Sequence, residues 1–208
     1  MLTLFSLSPK ESLDSMELST HKHFVFTAPS GAGKTTIVRH LLDHFEELDF
    51  SVSATTRGKR KHEQDGRDYH FLSKEDFESK IKDNQFIEYE EVYKDQYYGT
   101  LVSEVKRIEQ KGKHIVFDID VKGAVSIKKA FGDRVLTVFI KPPSFEILKQ
   151  RLIDRNTESE EALKKRISRM KEELTYESKF DRVLVNDLLE VTFEEAEHIV
   201  KSFLNLEQ

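Results

Sequence analysis

The sequence contains no cysteine. A chain without thiols forms neither disulfides nor thiolate metal sites, so disulfide-stabilised folds and cysteine-ligated metal centres are excluded. It also lacks any apolar run near the roughly 20 residues that a membrane-spanning helix needs. The first residues, MLTLFSLSPKESLDSM, do not begin with the basic cluster of a secretory signal, and their apolar part is short. Together these absences predict a cytoplasmic protein without a membrane partner.

An excess of positive charge is also missing, because the formal net charge is -5. Bulk charge therefore gives no reason to expect nucleic acid or anionic lipid as a partner. The 208 residues are 38% hydrophobic and 34% charged, which suits one globular domain with a substantial core. We see no internal repeat and no low-complexity linker.

Short segments rich in β-branched and aromatic residues are the predicted strands, at 23–28, 114–119, 135–140 and 181–185. Helical periodicity fills the intervals and the end of the chain, at 33–45, 121–131, 144–153, 160–177 and 192–204. Buried strands that alternate with helices predict an α/β fold with a parallel sheet. The polar, tyrosine-rich segment 54–103 breaks this alternation and has strand candidates at 69–72 and 86–92. It is predicted to be an insertion that can move as a unit.

A glycine-rich loop, APSGAGKTT at 28–36, follows the first predicted strand and precedes a helical pattern. This order is typical of a phosphate-binding P-loop. Its glycines allow backbone amides to point at phosphate oxygens. Lys34 would reach the β- and γ-phosphates of ATP, and the Thr35 hydroxyl would ligate Mg²⁺. Ala28 stands where the strict pattern has glycine, which requires that its φ stay negative. The predicted ATP-binding residues of the loop are Ala28, Pro29, Ser30, Gly31, Ala32, Gly33, Lys34, Thr35 and Thr36.

A second phosphate-site element is Asp118, which ends the apolar strand candidate HIVFD at 114–118. A hydrophobic strand that ends in aspartate is the usual Walker-B arrangement. Its carboxylate lies near the metal ion or a water of that ion. Asp118 is therefore a predicted neighbour of Mg²⁺.

Further motifs extend over most of the chain. They are SVSATTRGKRKHEQDGRDY at 51–69, FIEY at 86–89, YYGT at 97–100, FDIDVKG at 117–123 and VLVND at 183–187. With the P-loop, this set closely resembles the guanylate kinase family. The resemblance implies a P-loop NTPase fold that phosphorylates GMP, and dGMP as well, with ATP and Mg²⁺. It also implies a monomer or a homodimer.

The resemblance implies roles for residues on the acceptor side. Arg57 and Arg60, with Tyr69 and Tyr98, match the clamp on the phosphate of GMP, since guanidinium groups and phenols suit phosphate oxygens. The matches to the guanine-reading residues are Ser53, Glu88, Thr100 and Asp120. A carboxylate accepts from both guanine donors, whereas adenine would present an acceptor to it.

The stretch RLIDRNTESEEALKKR at 151–166 resembles the family's lid. There Arg155 and Arg166 match arginines that close over the ATP phosphates, and Asn186 matches the residue placed against adenine. The predicted catalytic residues are Lys34, Arg57, Arg155 and Arg166. Arg169 and the acidic run at 172–174 are interpreted as a solvated helix face.

The predicted organisation is an extension at 1–20, expected to be poorly ordered, and a guanylate kinase-like domain at 21–208. The domain divides into a parallel core flanked by helices (21–53, 104–153 and 169–208), a mixed α+β GMP-binding lobe (54–103) and a helical lid (154–168). The alternatives are an inactive scaffold of the same family and a P-loop kinase for another small phosphate acceptor. The presence of Lys34, Thr35 and both lid arginines favours the enzyme over the scaffold.

One other pair is His40 and His44, which are spaced i, i+4 as in some zinc sites. No glutamate adjoins His40, and no third ligand is evident along the sequence. The pair is therefore not interpreted as a metal site.

Overall fold

The computed structural model describes residues 21–154 and 160–206. The strands are β1 (His23–Thr27), β2 (Leu48–Phe50), β3 (Ala54–Thr55), β4 (His70–Phe71), β5 (Phe86–Tyr93), β6 (Gln96–Leu101), β7 (His114–Asp118), β8 (Val135–Lys141) and β9 (Arg182–Val185). The helices are α1 (Lys34–His44), α2 (Lys74–Lys82), α3 (Val102–Glu109), α4 (Val121–Phe131), α5 (Phe145–Asp154), α6 (Glu160–Leu174) and α7 (Leu189–Leu204), with short 3-10 turns at Gly132–Arg134 and Glu177–Lys179. The predicted extension at 1–20 lies outside the described residues.

The main sheet has five parallel strands in the order β2-β7-β1-β8-β9. Its central strand β1 is covered on both faces, so Phe24, Val25 and Phe26 are fully buried. Burial on both faces explains why the sequence of β1 is continuously apolar rather than alternating between apolar and polar residues. The predicted parallel core flanked by helices is confirmed.

Two apolar layers sandwich this sheet. On one face α1 and α7 contribute the buried side chains Ile37, Val38, Leu41, Ala196 and Val200. On the other face α3 and α4 contribute Val105, Ile108, Ala124 and Ile127. Within the described part of the chain, no helix is both long and apolar enough to cross a membrane.

A second sheet, with the order β4-β3-β6-β5, occupies the segment that interrupts the alternation. Its strands β5 and β6 form an antiparallel pair, and β3 pairs with β4 in parallel and with β6 antiparallel. Phe77 of α2 is fully buried beneath this sheet and stacks on Phe86 with ring centroids 4.3 Å apart. The strand candidates at 69–72 and 86–92 both correspond to strands of this sheet.

The division into core, lobe and lid stays a prediction. The lobe boundary at 103/104 falls inside α3, and the lid boundary at 168/169 falls inside α6. Each predicted moving part therefore shares a helix with the core.

Candidate active site

Two cavities adjoin the carboxyl edge of the main sheet, and the loop between β1 and α1 forms the floor of the larger one. Gly31 and Gly33 have φ of +94° and +93°, in the left-handed region that favours glycine. Ala28 is not among the described residues with positive φ, so alanine fits there without strain. The cavity has a volume of about 460 Å³, and its lining includes every residue of the predicted loop, from Ala28 to Thr36.

Lys34 and Asp118 meet at this edge because β1, which leads into the loop before Lys34, is the neighbour of β7, which ends in Asp118. In the register of β1 with β7, Phe26 lies opposite Asp118. The Lys34 ammonium forms an ion pair with the Asp118 carboxylate, and it donates to the Ile119 carbonyl over 3.1 Å. Thr35, one residue further along α1, lines the same cavity. The hydroxyl and the carboxylate are hard oxygen ligands of the kind that Mg²⁺ prefers.

Asn186 lies behind the loop and is only 6% exposed. Its side-chain amide donates to the Ala32 carbonyl over 2.7 Å, and its backbone amide donates to the Lys141 carbonyl over 2.8 Å. A Cβ at Gly33 would overlap the Asn186 amide, so glycine is required there on two grounds. Asn186 thus supports the P-loop backbone, and its predicted contact with adenine stays a prediction.

Arg166 brings helix α6 to the P-loop. Its Nη2 donates to the Ser30 hydroxyl over 2.6 Å, and its side chain lines the larger cavity. Arg166 therefore contacts the P-loop, and its predicted role over the ATP phosphates stays a prediction. The companion arginine of that prediction, Arg155, lies outside the described residues.

Arg57 is held by a carboxylate whose role was not predicted. Its two terminal nitrogens donate to the two carboxylate oxygens of Glu63, over 3.0 and 2.7 Å. Glu63 also accepts from the backbone amide of Arg60 over 2.7 Å. These contacts lower the pKa of Glu63 to about 2, the Arg57 hydrogen bond being the main cause. The same hydrogen bond raises the pKa of Arg57.

The tyrosines of the predicted phosphate clamp surround this arginine. The Arg57 guanidinium lies 5.3 Å from the Tyr69 ring centroid, and the nearby Tyr98 also contributes to its raised pKa. Tyr69 and Tyr98 meet edge to face at 6.0 Å. Arg60 lines the larger cavity, so the four residues lie together beside the P-loop. The sequence alone does not indicate this role of Glu63, since its hydrogen bonds to both arginines depend on the loop's fold.

A smaller cavity of about 170 Å³ lies between the two sheets, with Ser53, Tyr69, Glu88 and Asp120 in its lining. Glu88 is 7% exposed and accepts from the Thr100 hydroxyl over 2.6 Å. Burial raises the pKa of Glu88 to about 7. A Cβ at Gly123 would lie 2.9 Å from Glu88 Oε2, so glycine leaves room for this carboxylate. Three of the four predicted guanine-reading residues line this cavity, namely Ser53, Glu88 and Asp120. The fourth, Thr100, is fully buried and is connected to the cavity by its hydrogen bond to Glu88.

Asp120 has a structural task besides its place in the cavity. It is the N-cap of α4, where its Oδ1 accepts from the amides of Lys122 and Gly123 over 3.1 and 2.9 Å. Such a cap satisfies amides that the first helical turn leaves unpaired. Asp120 lines both cavities, so it fixes the helix end at their junction.

The interpretation of Arg169 as part of a solvated face is wrong. Its side chain is 25% exposed and donates to Glu173 over 2.8 Å, to the Val92 carbonyl over 3.2 Å and to Asp120 over 3.3 Å. It also lies 5.1 Å from the ring centroid of Tyr93. Glu173 is buried, whereas the neighbouring Glu172 side chain is 59% exposed as expected. The available sequence signal was the i, i+3 spacing from Arg166, which puts both arginines on one face of α6.

A parallel α/β sheet with this loop at its carboxyl edge, a lysine at the helix start and an aspartate on the adjacent strand defines the P-loop NTPase fold. The guanylate kinase family model matches residues 20–204. The chain therefore belongs to the guanylate kinase family, as the sequence motifs predict, and it is a nucleotide-binding kinase.

Individual relatives agree with this assignment. A guanylate kinase of Bacteroides thetaiotaomicron is 47% identical over 193 residues, which are 93% of this chain and 95% of that protein. A guanylate kinase of Porphyromonas gingivalis is 48% identical over 184 residues, or 88% of this chain and 98% of that protein. The crystal structure of guanylate kinase from Anaplasma phagocytophilum matches with a TM-score of 0.69 at 27% identity, covering 88% of this chain and 86% of that one.

Proposed function

We propose that this enzyme transfers the γ-phosphoryl group of ATP to the phosphate of GMP, giving ADP and GDP, with Mg²⁺ bound at the phosphates. The observation that carries the proposal is the junction of the two cavities. Lys34, Tyr69, Val92 and Asp120 line both of them, so a ligand on the P-loop and a ligand in the smaller cavity would meet there. A shared boundary of this kind suits direct transfer between two bound phosphates.

Base recognition falls to the smaller cavity in this proposal. The Glu88 carboxylate would accept from N1–H and the exocyclic amine of guanine, and the Ser53 hydroxyl would serve the carbonyl oxygen. The Thr100 hydroxyl fixes the Glu88 carboxylate through a 2.6 Å hydrogen bond. Since GMP and dGMP share the base and the 5′-phosphate, both are proposed acceptors.

The acceptor phosphate would be held by Arg57, Arg60, Tyr69 and Tyr98. Glu63 already orients the Arg57 side chain and holds the backbone of Arg60, so Arg57 has little side-chain freedom to lose on binding. An anion beside these guanidinium groups gains charge-assisted hydrogen bonds. The phenol hydroxyls add neutral donors.

The ATP phosphates would lie on the P-loop amides and the N-terminus of α1, where the helix dipole favours an anion. Lys34 and Arg166, with Arg155 proposed beside them, would neutralise charge on the transferred group. Asn186 is proposed to contact adenine. The Thr35 hydroxyl and the Asp118 carboxylate suit Mg²⁺, which when bound would neutralise phosphate charge. A shift of Lys34 from Asp118 toward phosphate would free that carboxylate.

In the transfer step, an oxygen of the GMP phosphate forms a bond to the γ-phosphorus while the bond from that phosphorus to the bridging oxygen of ADP breaks. The acceptor oxygen is already anionic, so the step needs no general base. Charge spreads over the transferred oxygens, and converging cations stabilise it. Closure of the predicted lobe and lid would exclude water, which would otherwise accept the phosphoryl group. A cytoplasmic location and a monomeric or homodimeric state remain predictions.

A coupled assay of ADP formation tests this proposal. ATP and Mg²⁺ with GMP should give ADP at a rate that depends on GMP, and Lys34→Ala should strongly lower that rate. The absence of GMP-dependent ADP formation by folded wild-type protein would refute the proposed reaction.

A further inference from the structure

The structure supplies the third ligand that the sequence did not reveal beside His40 and His44. Helices α1 and α7 pack against each other on one face of the main sheet. Glu197 of α7 lies opposite the histidine pair, with its Oε1 2.9 Å from His40 Nε2. One ligand atom from each of His40, His44 and Glu197 lies within 4.8 Å of the other two. We propose that these three side chains form a site for a divalent transition metal ion such as Zn²⁺.

The spacing between the ligand atoms suits one shared ion. Two ligands at about 2.1 Å from a tetrahedral ion are separated by about 3.4 Å. The 2.9 Å between His40 Nε2 and Glu197 Oε1 is a hydrogen-bond distance, so the two atoms would move slightly apart as an ion replaces the shared proton. His44 lies one helical turn beyond His40, the i, i+4 spacing that places two imidazoles on one helix face. The two imidazole rings are packed at 3.9 Å between centroids, so the His44 ring must turn to bring all three atoms to the ion.

The hydrogen bond of the His44 ring selects the tautomer that an Nε2 ligand needs. Its Nδ1 lies 2.8 Å from the His40 carbonyl oxygen. A carbonyl can only accept, so Nδ1 carries a proton, and in the neutral ring Nε2 keeps its lone pair. Metal-binding histidines commonly donate their other ring N–H to a backbone carbonyl, which fixes the tautomer and the ring orientation.

The His40 ring is held in place by packing. It stacks on Phe193 of α7 with centroids 3.8 Å apart and an interplanar angle of 5°, and its side chain is 15% exposed. Glu197 is oriented from its other side, since Lys201 donates to its Oε2 over 3.2 Å and leaves Oε1 to the histidine. Two of the three ligands are thus pre-positioned, which reduces the entropy cost of binding.

The donor set indicates the class of ion. Two imidazole nitrogens and one carboxylate oxygen suit Zn²⁺ and its transition-metal neighbours, whereas Mg²⁺ and Ca²⁺ prefer oxygen ligands alone. The ion would join α1, whose first residue is Lys34, to the C-terminal helix α7. The simpler alternative is a His40–Glu197 ion pair with no metal affinity. This site is independent of the proposed reaction.

Calorimetric titration of ZnCl₂ into the untagged full chain distinguishes these alternatives. The buffer contains excess Mg²⁺, so that Zn²⁺ does not bind to the oxygen ligands near Asp118. We expect saturable binding of one Zn²⁺ per chain and an affinity at least about tenfold weaker in His44→Gln and in Glu197→Gln. The control His198→Gln removes an exposed imidazole next to Glu197 on α7 and should bind like wild type.

A second measurement separates ligand loss from misfolding. His44 is exposed and His44→Gln leaves the His40–Glu197 pair in place, so its Tm without zinc should equal that of wild type. Zn²⁺ should raise the Tm of wild type and of His198→Gln but not that of His44→Gln, because only a ligand of the folded state stabilises it. The site does not exist if wild type shows no saturable binding or if His44→Gln binds Zn²⁺ as tightly as wild type.

Discussion

Arg169 donates a hydrogen bond from Nη2 to Oδ2 of Asp120 over 3.3 Å, which joins helix α6 to the N-cap of α4. The same guanidinium donates to the Val92 carbonyl at the end of β5. Arg169 therefore links the helix that carries Arg166 to β5 of the second sheet and to the start of α4. Since Arg166 reaches Ser30 of the P-loop from one turn earlier on α6, the Arg169 contacts hold the helix from which Arg166 extends.

Replacing Arg169 should slow the chemical step more than it weakens substrate binding. We expect Arg169→Ala to lower kcat by about 10- to 100-fold, because a small misplacement of a catalytic cation is costly. The KM values for both substrates should change much less. Steady-state kinetics checks this split, with thermal unfolding to show that the variant is folded.

Two further variants of α6 sharpen this test. Arg169→Lys keeps the charge but loses the fork that serves three acceptors, so its kcat should fall between those of wild type and Arg169→Ala. Glu172→Gln changes an exposed neighbour on the same helix and should behave as wild type. An unaltered kcat in folded Arg169→Ala would rule out the positioning role.

Glu63 should matter for acceptor binding although it lies behind the guanidinium it holds. Glu63→Gln removes the negative charge that orients Arg57 and leaves the size of the side chain at position 63 nearly unchanged. We expect the KM for GMP to rise about tenfold, the scale of one lost charge-assisted hydrogen bond. The KM for ATP should stay constant, since the Glu63 contacts are with the acceptor clamp. Initial rates at varied GMP and at varied ATP measure both constants.

The matched control is Arg67→Ala, which removes a basic residue of the same segment whose side chain is 61% exposed. It should leave both KM values unchanged. Equal rises in the two KM values of Glu63→Gln would contradict a role confined to the acceptor.

Glu88 should determine base selectivity. In Glu88→Gln an amide donor faces the guanine donors, so the ratio of kcat/KM for GMP to that for AMP should fall on the order of 10²-fold or more. Glu90→Gln changes another carboxylate that lines the same cavity and should preserve the ratio. An unchanged ratio in Glu88→Gln would show that another group reads the base.

The same carboxylate should cost the protein stability at high pH. Burial raises the pKa of Glu88 to about 7 from an ordinary value of 4.5. Above pH 7 the group is ionised in both states and the folded state bears the full cost, on the order of 3 kcal/mol. Below pH 4.5 it is protonated in both states and the cost vanishes.

Glu88→Gln should therefore be more stable than wild type at pH 8, and its advantage should shrink as the pH falls through 7. Urea unfolding at pH 8 and at pH 5.5 measures the difference in the free energy of unfolding. Glu91→Gln, at an exposed position on the same strand, should show no such pH dependence. A stability difference that is the same at both pH values would contradict the raised pKa.

The long elements of this fold could be predicted from sequence, because buried strands and amphipathic helices leave strong periodic patterns. The helix at 121–131 and the strands at 114–119 and 135–140 correspond to α4, β7 and β8. Strand β3, with two residues, leaves no such pattern. Helix α2 was not predicted, although a serine directly before a helix is a common N-cap. In the structure the Ser73 hydroxyl caps α2 by accepting from the Asp76 amide.

For the site, the motifs predicted which residues lie together but not how they hold each other. Lys34 and Asp118 meet because β1, which precedes the P-loop, pairs with β7, and the predicted parallel sheet puts both strand ends at one edge. The contacts of Glu63 and Arg169 depend on loop conformation and on helix placement. Glu63 is close in sequence to both arginines, but its hydrogen bonds depend on a loop conformation that leaves no periodic pattern. The spacing of Arg169 from Arg166 predicts a shared helix face, but not its contacts with Val92 and Asp120, which are distant in sequence.

The most direct test of the central claim is an acceptor panel with direct product detection. Wild type with ATP and Mg²⁺ is offered GMP, dGMP, AMP, CMP or UMP, and the nucleotides are separated chromatographically. We predict GDP from GMP and dGDP from dGMP, each with equal ADP, and little product from the other acceptors. Equal phosphorylation of AMP and GMP, or ADP without a phosphorylated acceptor, would contradict the account.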